Sequence, residues 1–406
     1  MNLYIFNEST RAAVFGIGTY ISELTSALKK SAINMWVVHL SSNKPNVQTE
    51  EMDGIQHWFF PAIMPELKTM NYVKQTEMYY RNVVYLLRLH IKDNRDLVFH
   101  LNYNQSDKLA EGLKKVFDCR IITVTHYYSW IHAVFDNLPR LRTILKEEQP
   151  TGSFGERLKK TFEDEKSFYS KVDQIVCPSN YMREILCLDY GIDILKTAVI
   201  PNGLTDMSVG IKSKLLRKKW NISEREKIIL FAGRMDQVKG IDFLIKAFRE
   251  VLSQYPRCRL VIAGNGAYDK CTKESREICA NVIYTGFLNK IQLNEWYRLA
   301  DIGVIPSLFE SFGYVALEMM MHGLPIVATA TSGLNEVVDD TCGLKTPVTA
   351  LSDSVEIDTT LLSQKILYLL QHPAEARKLG RNGRKKYLKE FSLKLFRQNM
   401  ITFYTT

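Results

Sequence analysis

KIILFAGRMDQVKGIDFLIKAFREVLSQY, residues 227–255, reads as a buried strand, a glycine turn and an amphipathic helix. Lys227–Ala232 is an apolar run of strand length, Gly233 breaks it, and Phe243–Tyr255 carries apolar side chains at helical spacing. The turn between them holds Arg234 and, five residues on, Lys239-Gly240. In open α/β sheets the loops at the carboxyl ends of parallel strands form the ligand crevice. Arginine offers paired donors to phosphate oxygens and lysine adds a point charge, so one of each at such a loop suits a diphosphate. The spacing alone fits a surface-exposed pair equally well.

The same alternation continues in both directions. Upstream, Leu3–Phe6, Met35–Leu40, Leu97–His100, Ile121–Thr125, Gln174–Cys177 and Ala198–Ile200 read as buried parallel strands, with helical patterns such as Ile21–Lys30 and Asp107–Phe117 between them. Downstream, Arg259–Ala263, Val282–Tyr284, Ile302–Pro306 and Pro325–Ala328 are strand candidates, and Gln292–Ala300, Val315–His322 and Leu361–Gln371 are helical. This order gives α/β architecture with a doubly wound sheet in each half. A turn signal at Pro201-Asn202-Gly203 marks the join. The expected domains are 1–205, 206–387 and a helical tail, 388–406, that packs back across the first. Lys212–Lys219 reads as an exposed basic helix. Met70–Asn94 is apolar enough for a buried core helix, with a membrane- or acceptor-facing surface as the second reading.

The chain has 406 residues, too many for one ordinary core. Its net charge of +9 is uneven: a surplus of one falls in residues 1–205 and a surplus of eight in 206–406. A phosphate-bearing ligand in the second half explains this, as does a solvated basic face. No zinc-finger spacing, RNA-binding sheet motif or long basic stripe favours a nucleic-acid partner. The seven cysteines form no C-x-x-C pair and have no histidine at metal spacing, so no metal site is expected and a reducing cytosol is. Met1–Phe6 reads at once as a strand rather than a leader, and the best apolar stretch, Tyr314–Ala330, is interrupted by Glu318, His322, Gly323 and Pro325. The expected location is the cytoplasm, with at most weak peripheral contact at the inner face of the membrane.

A second motif, Pro306-Ser307-Leu308-Phe309-Glu310-Ser311-Phe312-Gly313-Tyr314-Val315-Ala316-Leu317-Glu318, joins the strand Ile302–Pro306 to a helix. Glu310 falls in the loop, and Ser311, Phe312 and Gly313 present backbone N–H groups at the helix start, a natural anion site. Glu318 stands in an otherwise apolar helix, where a carboxylate needs donors; ribose hydroxyls are suitable, and a structural partner serves as well.

Together these motifs resemble the retaining glycosyltransferases of family 4, with the GT-B fold. The resemblance runs in order through Gly16-Ile17-Gly18-Thr19-Tyr20, Pro178-Ser179-Asn180, Ile200-Pro201-Asn202-Gly203, Gly233-Arg234 to Lys239-Gly240, and Leu260-Val261-Ile262-Ala263-Gly264-Asn265-Gly266. It ends with the E-x7-E pair Glu310/Glu318 and Ser332-Gly333-Leu334-Asn335-Glu336. It implies two facing Rossmann-like domains and a nucleotide-diphosphate sugar, UDP- or GDP-linked, as co-substrate with no other cofactor. Arg234 and Lys239 would bind the diphosphate, Glu318 the ribose, and Glu310 the donor sugar. The Ser311, Phe312 and Gly313 amides would meet phosphate or sugar hydroxyls. Phe287 and Leu288 would lie beside the base, and Gly16 and Gly18 would let the first-domain loop approach the phosphates. His126 resembles the family histidine that contacts the transferred sugar, although Tyr127 stands where the family often has Asp. Gly264 and Gly266 read better as a tight strand-to-helix turn.

The resemblance implies retention; with no carboxylate nucleophile among the matched first-domain residues, front-face displacement is expected, in which the leaving diphosphate takes the proton of the acceptor hydroxyl. The acceptor is not specified; glycolipid and polysaccharide precursors are the usual class, and a peptide is a further one. A sugar-nucleotide hydrolase or epimerase on the same scaffold, and a non-catalytic nucleotide-sugar-binding protein, remain as alternatives. A nicotinamide dehydrogenase is disfavoured, because Ile21 occupies the third glycine position after Gly16-x-Gly18.

Overall fold

The computed structural model describes residues 1–8, 16–62, 72–103, 107–147, 152–208 and 213–406. The chain divides into two compact units: Met1–Trp130 with Glu148–Pro201 and Phe396–Thr406, and Ile131–Glu147 with Asn202–Leu395.

Unit 1 is built on strands β1 (Asn2–Glu8), β2 (Asn34–Ser42), β3 (Gln48–Met52), β4 (Ile55–Pro61), β5 (Leu97–Leu101), β6 (Cys119–Val124), β7 (Gln174–Cys177) and β8 (Thr197–Val199). They lie in the order β3-β4-β2-β1-β5-β6-β7-β8. Every neighbouring pair is parallel except β3 and β4. The central strands are buried along their length, as their apolar sequences require. The antiparallel hairpin was not expected from the apolar pattern, because β3, QTEEM, is polar and largely exposed. Its signal was Asp53-Gly54, which turns the chain at φ of 53° and 73°. The order of strands reverses between β1 and β5, so the crevice of this sheet opens beyond Glu8 and Leu101.

Unit 2 carries β9 (Lys227–Ala232), β10 (Cys258–Ala263), β11 (Val282–Gly286), β12 (Ile302–Ile305), β13 (Ile326–Ala330), β14 (Gly343–Ala350) and β15 (Val355–Ile357). Their order is β11-β10-β9-β12-β13-β14-β15, parallel but for the last pair, and it reverses between β9 and β12. Alternate residues of one strand feed opposite cores. Ile228, Leu230 and Ala232 join a cluster with Trp296, Leu317 and Tyr387, whereas Ile229 and Phe231 join Leu244, Phe248 and Ile366.

Residues 131–147, read from the sequence as part of the first half, pack within unit 2. Two short helices, Ile131–Val134 and Leu138–Lys146, flank a turn in which Phe135 and Asp136 take φ of 52° and 65°. Phe135 packs on the cluster around Phe231 and Leu308. The Asn137 amide donates to the carbonyls of Leu351 at 2.7 Å and Ser354 at 3.2 Å.

The tail Leu388–Tyr404 is not one helix. A helix over Pro373–Glu390 stops, Phe391 and Leu393 exchange backbone hydrogen bonds with Leu204 at 3.1 and 3.0 Å, and a second helix runs over Leu393–Thr405. From Phe396 to Thr406 the chain belongs to unit 1, where the Tyr404 hydroxyl lies 2.8 Å from His100 Nδ1. Within Met70–Asn94 the described helix is Tyr72–His90; Met70 and Asn71 lie outside the described residues. Tyr80, Val83, Val84 and Leu87 are buried while Tyr85 and Leu89 are exposed, so the core reading holds for one face only. Among the described residues no helix is long and apolar enough to cross a membrane.

Candidate functional site

The loop after β9 and the loop after β12 meet at the strand-order reversal of unit 2. Gly240 makes the approach, with a left-handed φ of 64° that ends the turn Gln237–Lys239 and begins the helix Ile241–Gln254. A Cβ at Gly240 would fall 1.8 Å from the Pro306 carbonyl oxygen, so no other residue fits without moving the β12 loop. Gly264 plays the same part on the other side, where a Cβ would fall 1.8 Å from the Gly233 oxygen. This close approach belongs to a tight turn after β10.

Close approach brings Lys239 Nζ to 2.6 Å from Glu310 Oε1, an oxygen that also accepts from Ser307 Oγ at 2.8 Å. Both side chains are largely shielded, Lys239 at 21% and Glu310 at 14% exposure. Arg234 pairs with Asp236 at 3.1 Å, and Asp236 also accepts from the Lys239 amide at 3.1 Å. The Glu310 backbone is held at both ends: its N–H donates to Ser332 Oγ at 2.9 Å, and its carbonyl accepts from the Gly333 N–H at 2.9 Å. The Thr329 and Thr331 hydroxyls fasten Ser307 and Leu308 in the same way, at 2.5 and 2.8 Å.

Behind the loop, Phe312 is buried and Gly313 precedes the helix Tyr314–Met321. Glu318 on that helix accepts from the Tyr297 hydroxyl at 2.5 Å. Burial, with the neighbouring Glu318 charge, pushes the Tyr297 pKa far up, so this phenol stays a donor. Phe287 is half exposed beyond the end of β11, and Leu288 packs on the core.

His132 stands on the docked segment of this unit. Burial and then the Arg234 charge lower its pKa, with Asp236 opposing and Lys239 adding to the fall. The charges that act on it all lie in the β9 loop: Arg234, Asp236 and Lys239.

In unit 1, Gly16 and Gly18 begin the helix Gly16–Leu28, and residues 9–15 of the loop before it lie outside the described residues. His126 follows β6, with Nε2 at 2.9 Å from Asn102 Oδ1. The Asn102 Nδ2 donates to the Phe6 carbonyl at 2.9 Å, which fixes the amide and makes His126 Nε2 the protonated nitrogen. Burial, aided by the nearby His100, holds the His126 pKa down to about 3. The ring is thus neutral, with Nδ1 as its acceptor.

Comparison with known proteins follows the same lines. A family model described as glycosyl transferases group 1 matches residues 212–386, and one described as glycosyltransferase family 4 matches residues 14–206. The chain belongs to the glycosyltransferases of the GT-B fold. Sucrose-phosphate synthase of Thermosynechococcus elongatus superposes with a TM-score of 0.78 at 22% identity over 100% of this chain and 98% of that one. Anabaena HepE in complex with UDP and glucose superposes with a TM-score of 0.74 at 14% identity over 100% and 99%. An uncharacterized glycosyltransferase of Methanocaldococcus jannaschii is 34% identical over 175 residues, 41% of this chain and 44% of the relative. The chain spans less than half the length of the first curated relatives it matches.

In this chain unit 2 gathers Arg234, Lys239, Glu310, Ser311, Phe312, Gly313 and Glu318 around the two loops, while Gly16, Gly18 and His126 belong to unit 1. Sequence reasoning missed Asp236, Tyr297 and His132, and gave Ser307 and Ser332 no role. Ser332 sat inside a quoted motif; His132 had no local signal. Among the described residues, no three His, Cys, Asp or Glu side chains gather as a metal site.

Proposed function

We propose that this protein transfers a sugar from a nucleoside-diphosphate sugar to an acceptor hydroxyl with retention at the anomeric carbon. The observation that carries the reading is the meeting of Arg234, Lys239 and Glu310 at the carboxyl ends of β9 and β12. Arg234 and Lys239 face the diphosphate, the amides of residues 311–313 add neutral donors, and Glu318, oriented by Tyr297, takes the ribose hydroxyls. The bond from the anomeric carbon to the phosphate oxygen breaks while the acceptor oxygen bonds to the same face. The acceptor proton passes to the departing phosphate oxygen. Charge growing on that oxygen is what Arg234 and Lys239 stabilise. They supply the counter-charge themselves, so transfer is expected to survive chelation of divalent metals. Neutral His126 offers Nδ1 to a hydroxyl of the transferred sugar. HepE, a structural neighbour, is seen with UDP-glucose, which supports a uridine donor.

The test is a thermal-shift screen against UDP- and GDP-sugars, followed by product analysis with the donor that binds. Transfer with retained anomeric configuration is expected. Inverted product would remove the front-face mechanism. Tight donor binding with only free sugar released, or with no turnover over a broad acceptor panel, would leave a hydrolase or a binding protein.

A further inference from the structure

The parallel sheet of unit 2 sends loops out at two ends. The carboxyl ends carry residues 233–240, 264–266, 286–288 and 306–313, which include the donor loops. The amino ends of β9 and β10 carry a separate surface. There the residues leading into β9, with Arg257 and Arg259 at the start of β10, line a concavity of about 620 Å³.

The cations of this lining fall into two groups. Arg217 is a brace: it donates to the carbonyls of Ser223 at 2.8 Å and Glu226 at 3.0 Å and pairs with Asp301 at 3.2 Å. Arg259 is committed to Glu226 Oε1 at 2.6 Å. The other oxygen of Glu226, the only acidic side chain of the lining, accepts from the Ser223 N–H at 3.1 Å. Lys218, Arg225 and Arg257 remain. They are exposed, and none has a side-chain hydrogen bond or ion pair among the described residues. Asn221 stands between them in a left-handed conformation, φ 53°, with an exposed amide.

The walls are fixed while the three cations are unspent. Like charges held around one hollow repel, and an anion seated there relieves them. Guanidinium pairs match phosphate oxygens in geometry as well as charge. We propose that this hollow is a second anion site, taking a phosphate-bearing ligand through Lys218, Arg225 and Arg257 at the end of the sheet opposite the donor loops. It stands whether or not unit 2 transfers a sugar.

Titration of the full chain carrying Arg234→Ala, which weakens the donor loops, isolates this site. The probes are inorganic pyrophosphate and vesicles of phosphatidylcholine with phosphatidylglycerol in equal parts. Adding Arg225→Gln and Arg257→Gln should weaken binding of at least one probe about tenfold or more, and raising the salt should weaken it in the parent. Lys218→Gln alone should act in the same direction, and circular dichroism should be unchanged. Loss confined to pyrophosphate identifies a free phosphate compound, and loss confined to vesicles a lipid headgroup. Equal binding by the parent and the double variant, or no binding of either probe, overturns the proposal.

Discussion

Lys239 and Glu310 hold each other at 2.6 Å, and Arg234 holds Asp236 at 3.1 Å, so the two loops are charge-balanced before any anion arrives. A diphosphate must share these cations with carboxylates. Arg234→Ala should weaken nucleoside-diphosphate binding by tenfold to a hundredfold, since a charged hydrogen bond contributes roughly 1.5–3 kcal/mol. Glu310→Gln should act otherwise, because it removes a competitor for Lys239: calorimetry is expected to show undiminished diphosphate affinity while turnover falls. Glu318→Gln should instead cost donor affinity with little change in turnover. If Glu310→Gln binds diphosphate more weakly, the pair is structural and not part of the donor site. His132 gives a pH signature. Its pKa is held below the ordinary imidazole value in the free protein, and a diphosphate beside Arg234 and Lys239 would raise it. Binding should then take up a proton, affinity should rise as pH falls, and His132→Ala should abolish the uptake measured by calorimetry in buffers of different ionisation enthalpy. Arg234 and Lys239 were legible in the sequence because both sit in one turn after one strand. Their balancing was only half legible. Lys239 and Glu310 are 71 residues apart, and only the β9–β12 pairing makes them neighbours.

The loop that carries His126 is fastened by the helix Ser153–Lys171. Glu165 on that helix, almost wholly buried, accepts from the N–H and hydroxyl of Ser129 at 2.8 and 2.7 Å and from Tyr190 at 2.5 Å. Burial outweighs these hydrogen bonds and raises its pKa to about 7. The folded state therefore holds a proton that the unfolded chain loses from about pH 4.5 upward. The contribution of Glu165 to stability should fall between about pH 4.5 and 7 and stay level above, a change of roughly 3 kcal/mol. Glu165→Gln should flatten that part of the stability profile relative to the parent in denaturant titrations; identical profiles would show that burial does not govern this carboxyl. Among the elements, continuous apolar runs such as Ile121–Thr125 and Lys227–Ala232 were legible because both faces of those strands are covered. The hairpin β3–β4 was not, since a polar edge strand has no apolar run. The interrupted tail was not either: its break at Phe391-Ser392 is set by pairing with Leu204, a partner that helical periodicity cannot reveal.

Each unit of the molecule is assembled from separated stretches of chain. Residues 131–147 leave the first half to complete unit 2, and Phe396–Thr406 return to complete unit 1. Phe396 lies against Tyr20 at 5.9 Å between ring centroids, and His100 is held between the hydroxyls of Tyr20, at 3.4 Å, and Tyr404, at 2.8 Å. Cutting the chain after Leu395 should therefore uncover part of the unit 1 core. Hydrogen exchange is expected to quicken in β1 and β5 while β9 and β12 keep their protection; unchanged exchange in β1 and β5 would make the tail dispensable. A tail over 388–406 was expected to pack on the first half, and Phe396–Thr406 lie in unit 1; the inserted segment was not expected, since its short helices look like any other stretch of unit 1. This threading also bears on synthesis. A ribosome finishes the strands of unit 1 at residue 199 but does not make Phe396 until nearly two hundred residues later, roughly 10–40 s at ordinary rates of translation. Through that interval the nascent first unit waits with Tyr20 and His100 uncovered, while all the strands of the second emerge and can close on themselves.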